Sequence, residues 1–193
     1  MITYNLMPNH DAYVDAVVGL ISKLEGHISS ARNIGDGAAT IGYGYTFSRN
    51  DNLSLWESAG IALTASERAT LKKIDQATSV ASKTSIALNE FSKSITLGEA
   101  KNLLKQTYTQ YESPANNLGM PESLEKVAFV SVIYNRGVPT VNSQMTGFFD
   151  AINNGNGAEA WYEIRYNAKA TNHNLPPDQI IGVSNRRYFE SEG

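Results

Sequence analysis

Cysteine is absent from the 193 residues, which excludes disulfides, thiolate metal sites and a thiol nucleophile. The core must therefore hold the fold by itself. An excess of one charge sign is missing too: 16 Lys and Arg stand against 19 Asp and Glu, a net charge of −3, with both signs spread along the chain. Without a basic patch, neither nucleic acid nor an anionic membrane is expected as the main partner. Long apolar runs are lacking as well. The most apolar stretch, residues 127–133, is far short of the roughly 20 residues of a spanning helix, and the N-terminus has no basic-then-apolar signal pattern. The three histidines, His10, His27 and His173, have no i, i+4 partner, so neither metal nor cofactor is expected. Phosphate-cradling G-x-x-x-x-G-K-[ST] and G-x-G-x-x-G do not occur, nor does the serine elbow G-x-S-x-G. Carboxylates remain as the bearers of chemistry.

What is present reads as mostly helix around one small β element. Val14, Val17, Val18, Ile21 and Leu24 form one apolar stripe behind a polar Asn9-His10-Asp11 start, with Gly26 placed to stop the helix. Residues 26–47 change character. Gly35-Asp36-Gly37 signals a turn, and the run from Ala39 to Phe47 alternates as strands do, predicting a hairpin or small antiparallel sheet. Gly42 and Gly44 leave one strand face bare, open to a ligand or another backbone. After residue 50 the chain reads as helix. Thr64-x-x-Glu67 and Thr96-x-x-Glu99 have capping-box spacing, and Pro121 suits the first position of a helix whose residues 124–133 are apolar nearly all round. Further helices are expected at 144–152, 158–168 and 184–190, and residues 76–94 give the weakest signal. Trp56 and Trp161 are expected in the core. The fold class expected is α+β, mostly α, with one domain over 1–193: a β lobe at about 26–50 and a helical lobe at 51–193.

Glu25 stands out because a glutamate at a helix C-terminus opposes the macrodipole, which disfavours its charged form by about 0.3–1 kcal/mol. A carboxyl in that state suits a general acid, although a tolerated surface glutamate explains it equally well. Asp36 inside Gly-Asp-Gly has a plain role in turn chemistry, and Thr40 is ordinary in a strand. Together a helix end and a hairpin can gather Glu25, Asp36 and Thr40, and an acid facing a water-holding carboxylate and hydroxyl is what glycosidic hydrolysis requires.

The same residues carry a resemblance. Glu25-Gly26, then Gly35-Asp36-Gly37, then Thr40-Ile-Gly-Tyr43-Gly-Tyr45-Thr46 resembles the phage-type lysozymes, glycoside hydrolase family 24. Ile95-Thr-Leu-Gly-Glu-Ala-Lys-Asn-Leu-Leu104 is similar to the family's I-T-x-x-E-A-x-x-L-L start. Residues 127–137, with Tyr134-Asn135-Arg136-Gly137, resemble its Y-N-x-G helix, and Gly182-Val-Ser-Asn-Arg186-Arg187 its closing segment. The resemblance implies a bilobed lysozyme-like fold and hydrolysis of the β-1,4 bond between N-acetylmuramic acid and N-acetylglucosamine in bacterial peptidoglycan. It matches Glu25 to the general acid and Thr40, 15 positions on, to the residue that orients water. Asn135 corresponds to a cleft-lining position and Arg186 to the arginine that pairs with the acid. Tyr43 and Tyr45 join the supporting set, Tyr45 where the family usually has histidine.

The aspartate departs from the pattern. The family's Asp lies six residues before its Thr, which is Ile34 here, whereas Asp36 is four before. Pesticin-like lysozymes place it six beyond, at Thr46, with Asp51 nearby. Asp36 is the first expectation, with Asp51 and Thr46 in reserve. Residues 48–94 exceed the corresponding stretch of compact phage enzymes, which implies added helices near 50–94, for packing, for recognition of stem peptides, or for an immunity or inhibitor protein. A monomer is expected, made in the cytoplasm without a signal peptide, and the near-neutral charge suits delivery to the periplasmic wall by holin, phage tail or secretion apparatus. Two rival readings are a peptidoglycan-binding module without chemistry and a lytic transglycosylase.

Overall fold

In a computed structural model, residues 2–167 are described. The chain divides into two compact units, Glu25–Thr107 and a second that combines Met1–Leu24 with the chain from Tyr108 onward. The architecture is α+β and mostly α, as the sequence predicts, with one three-stranded antiparallel sheet.

The Glu25–Thr107 unit holds that sheet. Strand β1 (Ile28–Asn33) pairs with β2 (Ala39–Gly42), which pairs with β3 (Tyr45–Thr46). Thr40 lies opposite Arg32 on one side and Thr46 on the other. All four β2 residues are buried, because helices α4 (Val80–Glu90) and α5 (Leu97–Thr107) pack against that strand. Helices α2 (Asn52–Ser58) and α3 (Ala65–Gln76) complete the unit. Its core is an aromatic cluster of Phe47, Trp56 and Phe91, with ring centroids 5.0–6.0 Å apart, and Trp56 is fully buried as expected.

Local signals account for these helices. Thr64 and Glu67 form the reciprocal capping box ahead of α3. The Thr96 and Glu99 side chains exchange bonds with each other's backbone N–H in the same way ahead of α5. The weakly signalled stretch 76–94 folds as α4, capped by the Ser79 hydroxyl on Ser82 N–H. The glycine pair resolves differently at each position. Gly42 has a left-handed φ of +67° and lies 3.5 Å, at the site of a would-be Cβ, from Ala100 Cβ and Ile95 Cδ1, so what approaches it is helix α5. Gly44, at φ +100°, is exposed in the turn between β2 and β3.

In the other unit, α1 (His10–Leu24) buries Tyr13, Val17, Val18 and Ile21 and packs on α7 (Leu124–Arg136). The Asn9 side chain accepts from Ala12 N–H at the start of α1, as the polar start predicts. Helix α7 is buried continuously from Lys126 to Ile133, the outcome foreseen for an all-round apolar helix. Its start differs. Pro121 stands outside the helix, and Ser123 caps it instead through Lys126 N–H, because residues 122–124 pair with Asn5, Leu6 and Met7. The short α6 (Ser113–Asn117) and α8 (Val138–Gln144) lacked a periodic signal; each carries a proline in its first turn. The helix expected at 144–152 is α9 (Thr146–Asn153), followed by α10 (Gly157–Tyr162) and a π-helical turn, Glu163–Asn167. Trp161 departs from its expected core position: it is 41% exposed, with the Arg165 guanidinium 5.0 Å over its ring. The closing helix expected at 184–190 lies outside the described residues, as do His173 and Arg186.

Candidate active site

Glu25 directly follows the last residue of α1 and is separated from β1 by two residues, which is where the stripe and the Gly26 stop put it. It is half-buried. Beside it in sequence, His27 packs on Tyr43 with ring centroids 5.6 Å apart, continuing the β1–β2 pairing by side chains beyond its last ladder bond.

Thr40 is 1% exposed, and its Oγ1 has no hydrogen-bond partner among the described residues. A buried hydroxyl left in that state costs about 1–3 kcal/mol. Most buried polar atoms are paired, so an orphan on a central strand calls for an explanation beyond packing. Its cross-strand neighbour Thr46 is half-buried, with its hydroxyl 3.0 Å from that of Ser48.

Asp36 lies on the exposed β1–β2 connection, where Oδ1 accepts Ala38 N–H at 3.1 Å. That is the turn-forming bond expected of Asp between two glycines, here both at positive φ. Asp51, also exposed, sits at the N-cap position of α2 but does not use its side chain as a cap. Asp75 of α3 takes that role: its carboxylate accepts from Asn52 N–H, Leu53 N–H and Asn52 Nδ2 at 2.7–3.0 Å.

Tyr45 turns inward. It is 5% exposed, its hydroxyl donates to Asn52 Oδ1 at 2.6 Å, and burial pushes its phenol above the ordinary range. Tyr43 is likewise buried, so both tyrosines support the sheet from within. Asn135 is exposed in the last turn of α7, beside Tyr134, whose ring packs 4.6 Å from that of Tyr111. Gly137, at φ +78°, ends that helix.

The sequence reading missed the polar network of Asn52, Asp75 and Lys83. Its signals were faint: Asp75 is an acid in the last turn of a helix, and Lys83 falls on the same face of α4 as buried Ala87. Among the described residues, no three His, Asp or Glu side chains are grouped to hold a metal. None of their helices is long and apolar enough to cross a membrane.

The profile of the phage lysozyme family matches residues 22–190, a span that includes Glu25, Thr40 and both candidate aspartates. The chain belongs to the phage lysozyme family. No curated protein matches it. Membership makes this chain a lysozyme-type glycoside hydrolase, with the peptidoglycan of the cell wall as its substrate class.

Proposed function

We propose that this protein is a muramidase that cleaves the β-1,4 bond between N-acetylmuramic acid and N-acetylglucosamine. Glu25 donates its proton to the leaving glycosidic oxygen, and the Thr40 hydroxyl orients the attacking water. A carboxylate takes the proton of that water as it bonds to the anomeric carbon. Asp36 is the first candidate for this base. Asn135 and Arg186 belong to the same reading as saccharide-lining and acid-pairing residues, by their places in the family motifs. The enzyme acts on the wall as a monomer, after delivery from the cytoplasm.

The observation that carries the reading is the buried Oγ1 of Thr40, without a partner among the described residues, at the position the motif resemblance matches to water orientation. A buried hydroxyl that no described group satisfies has its bonding capacity in reserve for a reacting water. Asp51 provides a second reading of the base, because Asp75 relieves its side chain of capping α2 while Asp36 is engaged by its own turn. Release of reducing ends from purified peptidoglycan tests the proposal. The parent chain is expected to release them and Glu25→Gln to fall by about 10²–10⁴-fold while remaining folded. Undiminished turnover in Glu25→Gln refutes the acid assignment. Co-sedimentation without released ends would instead mark a binding module, and 1,6-anhydro products a transglycosylase.

A further inference from the structure

Lys83 is 3% exposed on α4, and its ammonium donates to Arg49 O and Asn50 Oδ1, each at 2.5 Å. Both acceptors are neutral oxygens. A cation buried against neutral groups is an expensive way to join a helix to a loop, since an apolar side chain would fill the space without desolvating a charge. What the ammonium does that no apolar group can do is hold two oxygens of one exposed connection on a single point.

Both oxygens belong to the connection 47–51, which links β3 to α2 and ends at Asp51. The Arg49 carbonyl also accepts from Asn52 Nδ2 at 2.9 Å. Asn52, fully buried, in turn receives the Tyr45 hydroxyl and donates to Asp75. Tyr45 begins β3, whose Thr46 is the register partner of Thr40. A continuous set of bonds therefore runs from Lys83 through Arg49 O, Asn52 and Tyr45 to the strand beside the unpaired hydroxyl. The next residue on α4 extends the pattern, for Thr84 Oγ1 donates to Gly37 O, next to Asp36.

We propose that Lys83 is a positioning residue for the hydrolysis: it fixes residues 49–51, and with them Asp51 and the β3 edge beside Thr40. The helix that bears it lies in residues 48–94, the segment that the resemblance reads as longer than in compact phage enzymes, so the proposal gives that segment a part in the reaction geometry as well as in packing. This inference rests on the muramidase reading and is tested on the full chain with soluble peptidoglycan fragments, well below the melting temperature. Lys83→Met is expected to lower kcat about tenfold or more with KM within about twofold, since small misplacements of reacting groups cost rate before they cost binding. The chain has no cysteine, so Lys83→Cys carries a sole thiol. Alkylating it with 2-bromoethylamine in denaturant and refolding rebuilds the ammonium, which is expected to restore most of kcat. Asn50→Ala, a change at an exposed residue, removes one acceptor and is expected to lower kcat about threefold. Lys73→Met breaks the Lys73–Glu90 pair between α3 and α4 without touching the connection and is expected to keep parental kcat.

Parental kcat in folded Lys83→Met or Asn50→Ala overturns the proposal while leaving the muramidase reading intact. So does a Lys83→Met loss that only tracks the unfolded fraction by circular dichroism, or one that the rebuilt ammonium does not reverse. A parent chain that releases no reducing ends sinks both readings.

Discussion

Asp75 caps helix α2 in place of Asp51. Its Oδ1 accepts Asn52 N–H at 2.8 Å and its Oδ2 accepts Leu53 N–H at 3.0 Å, although Asp51 holds the N-cap position. One carboxylate is thereby committed to structure and the other left out of it. Asp75→Asn is expected to destabilise the protein by about 1–2 kcal/mol, the scale of a lost cap with partly buried donors. Asp51→Asn is expected to stay within about 0.5 kcal/mol. Urea unfolding of both variants measures this, and equal losses would contradict the exchange of roles.

The same contrast separates the two candidate bases. Asp36→Asn and Asp51→Asn each keep the shape of the side chain and remove its basicity. The one that fills the catalytic role is expected to lose about 10²–10⁴ in reducing-end release, and the other to stay near parental. Parental rates in both variants would remove aspartate from the mechanism.

Thr40→Val is expected to move stability and activity in opposite directions. It replaces a buried hydroxyl without a partner among the described residues by a methyl of similar size, removing a penalty of about 1–3 kcal/mol, so the melting temperature is expected to rise. On the proposed mechanism turnover falls, because the hydroxyl assigned to orient the water is gone. A variant that melts lower and stays active would show the hydroxyl to be structural.

Gly42→Ala tests the close packing of α5 on the sheet. The nearest atoms to the added methyl lie at 3.5 Å, ordinary contact, so the penalty comes from the left-handed backbone at φ +67°. About 1–2 kcal/mol is expected, read by denaturant unfolding. A negligible change would mean that the sheet relaxes to another backbone conformation at little cost.

Two ionisable groups set opposite pH dependences. The Glu122 carboxylate, hydrogen-bonded at 2.7 Å, holds His10 above its ordinary value of 6.5. Its contribution is present in full below about pH 6.5 and is lost as pH rises through the raised value. Glu99 is held below 4.5, chiefly by its bond from the Thr96 backbone N–H. Its contribution is present above pH 4.5 and is lost as pH falls through the lowered value. Melting temperatures of His10→Gln and Glu99→Gln, each compared with the parent across pH 3–9, are expected to differ from it on those opposite sides only.

Much of this was legible in the chain. The α1 stripe, the two Thr-x-x-Glu boxes and the all-round apolar α7 are local patterns whose burial follows from period and composition, and each formed as written. The elements that escaped were those whose cause lies elsewhere in the fold. Helix α8 has no stripe of its own, and Pro121 lost the helix start to Ser123 because a distant N-terminal segment pairs there. Trp161 looked like core because size and apolarity predict burial on average, yet nothing local says which face of α10 will be covered.

The sequence by itself narrowed the candidates: with no thiol, no metal spacing and no phosphate cradle in it, carboxylates came first, and Glu25 was placed at a helix end by residues within one turn of it. Tertiary structure alone decided which side chains are engaged and which are held in reserve. Asp51 is spared by Asp75, 24 positions away, and the loop before it is held by Lys83, 33 and 34 positions from the oxygens it binds. Contacts of that span depend on how helices stack against a sheet, and no local period encodes them.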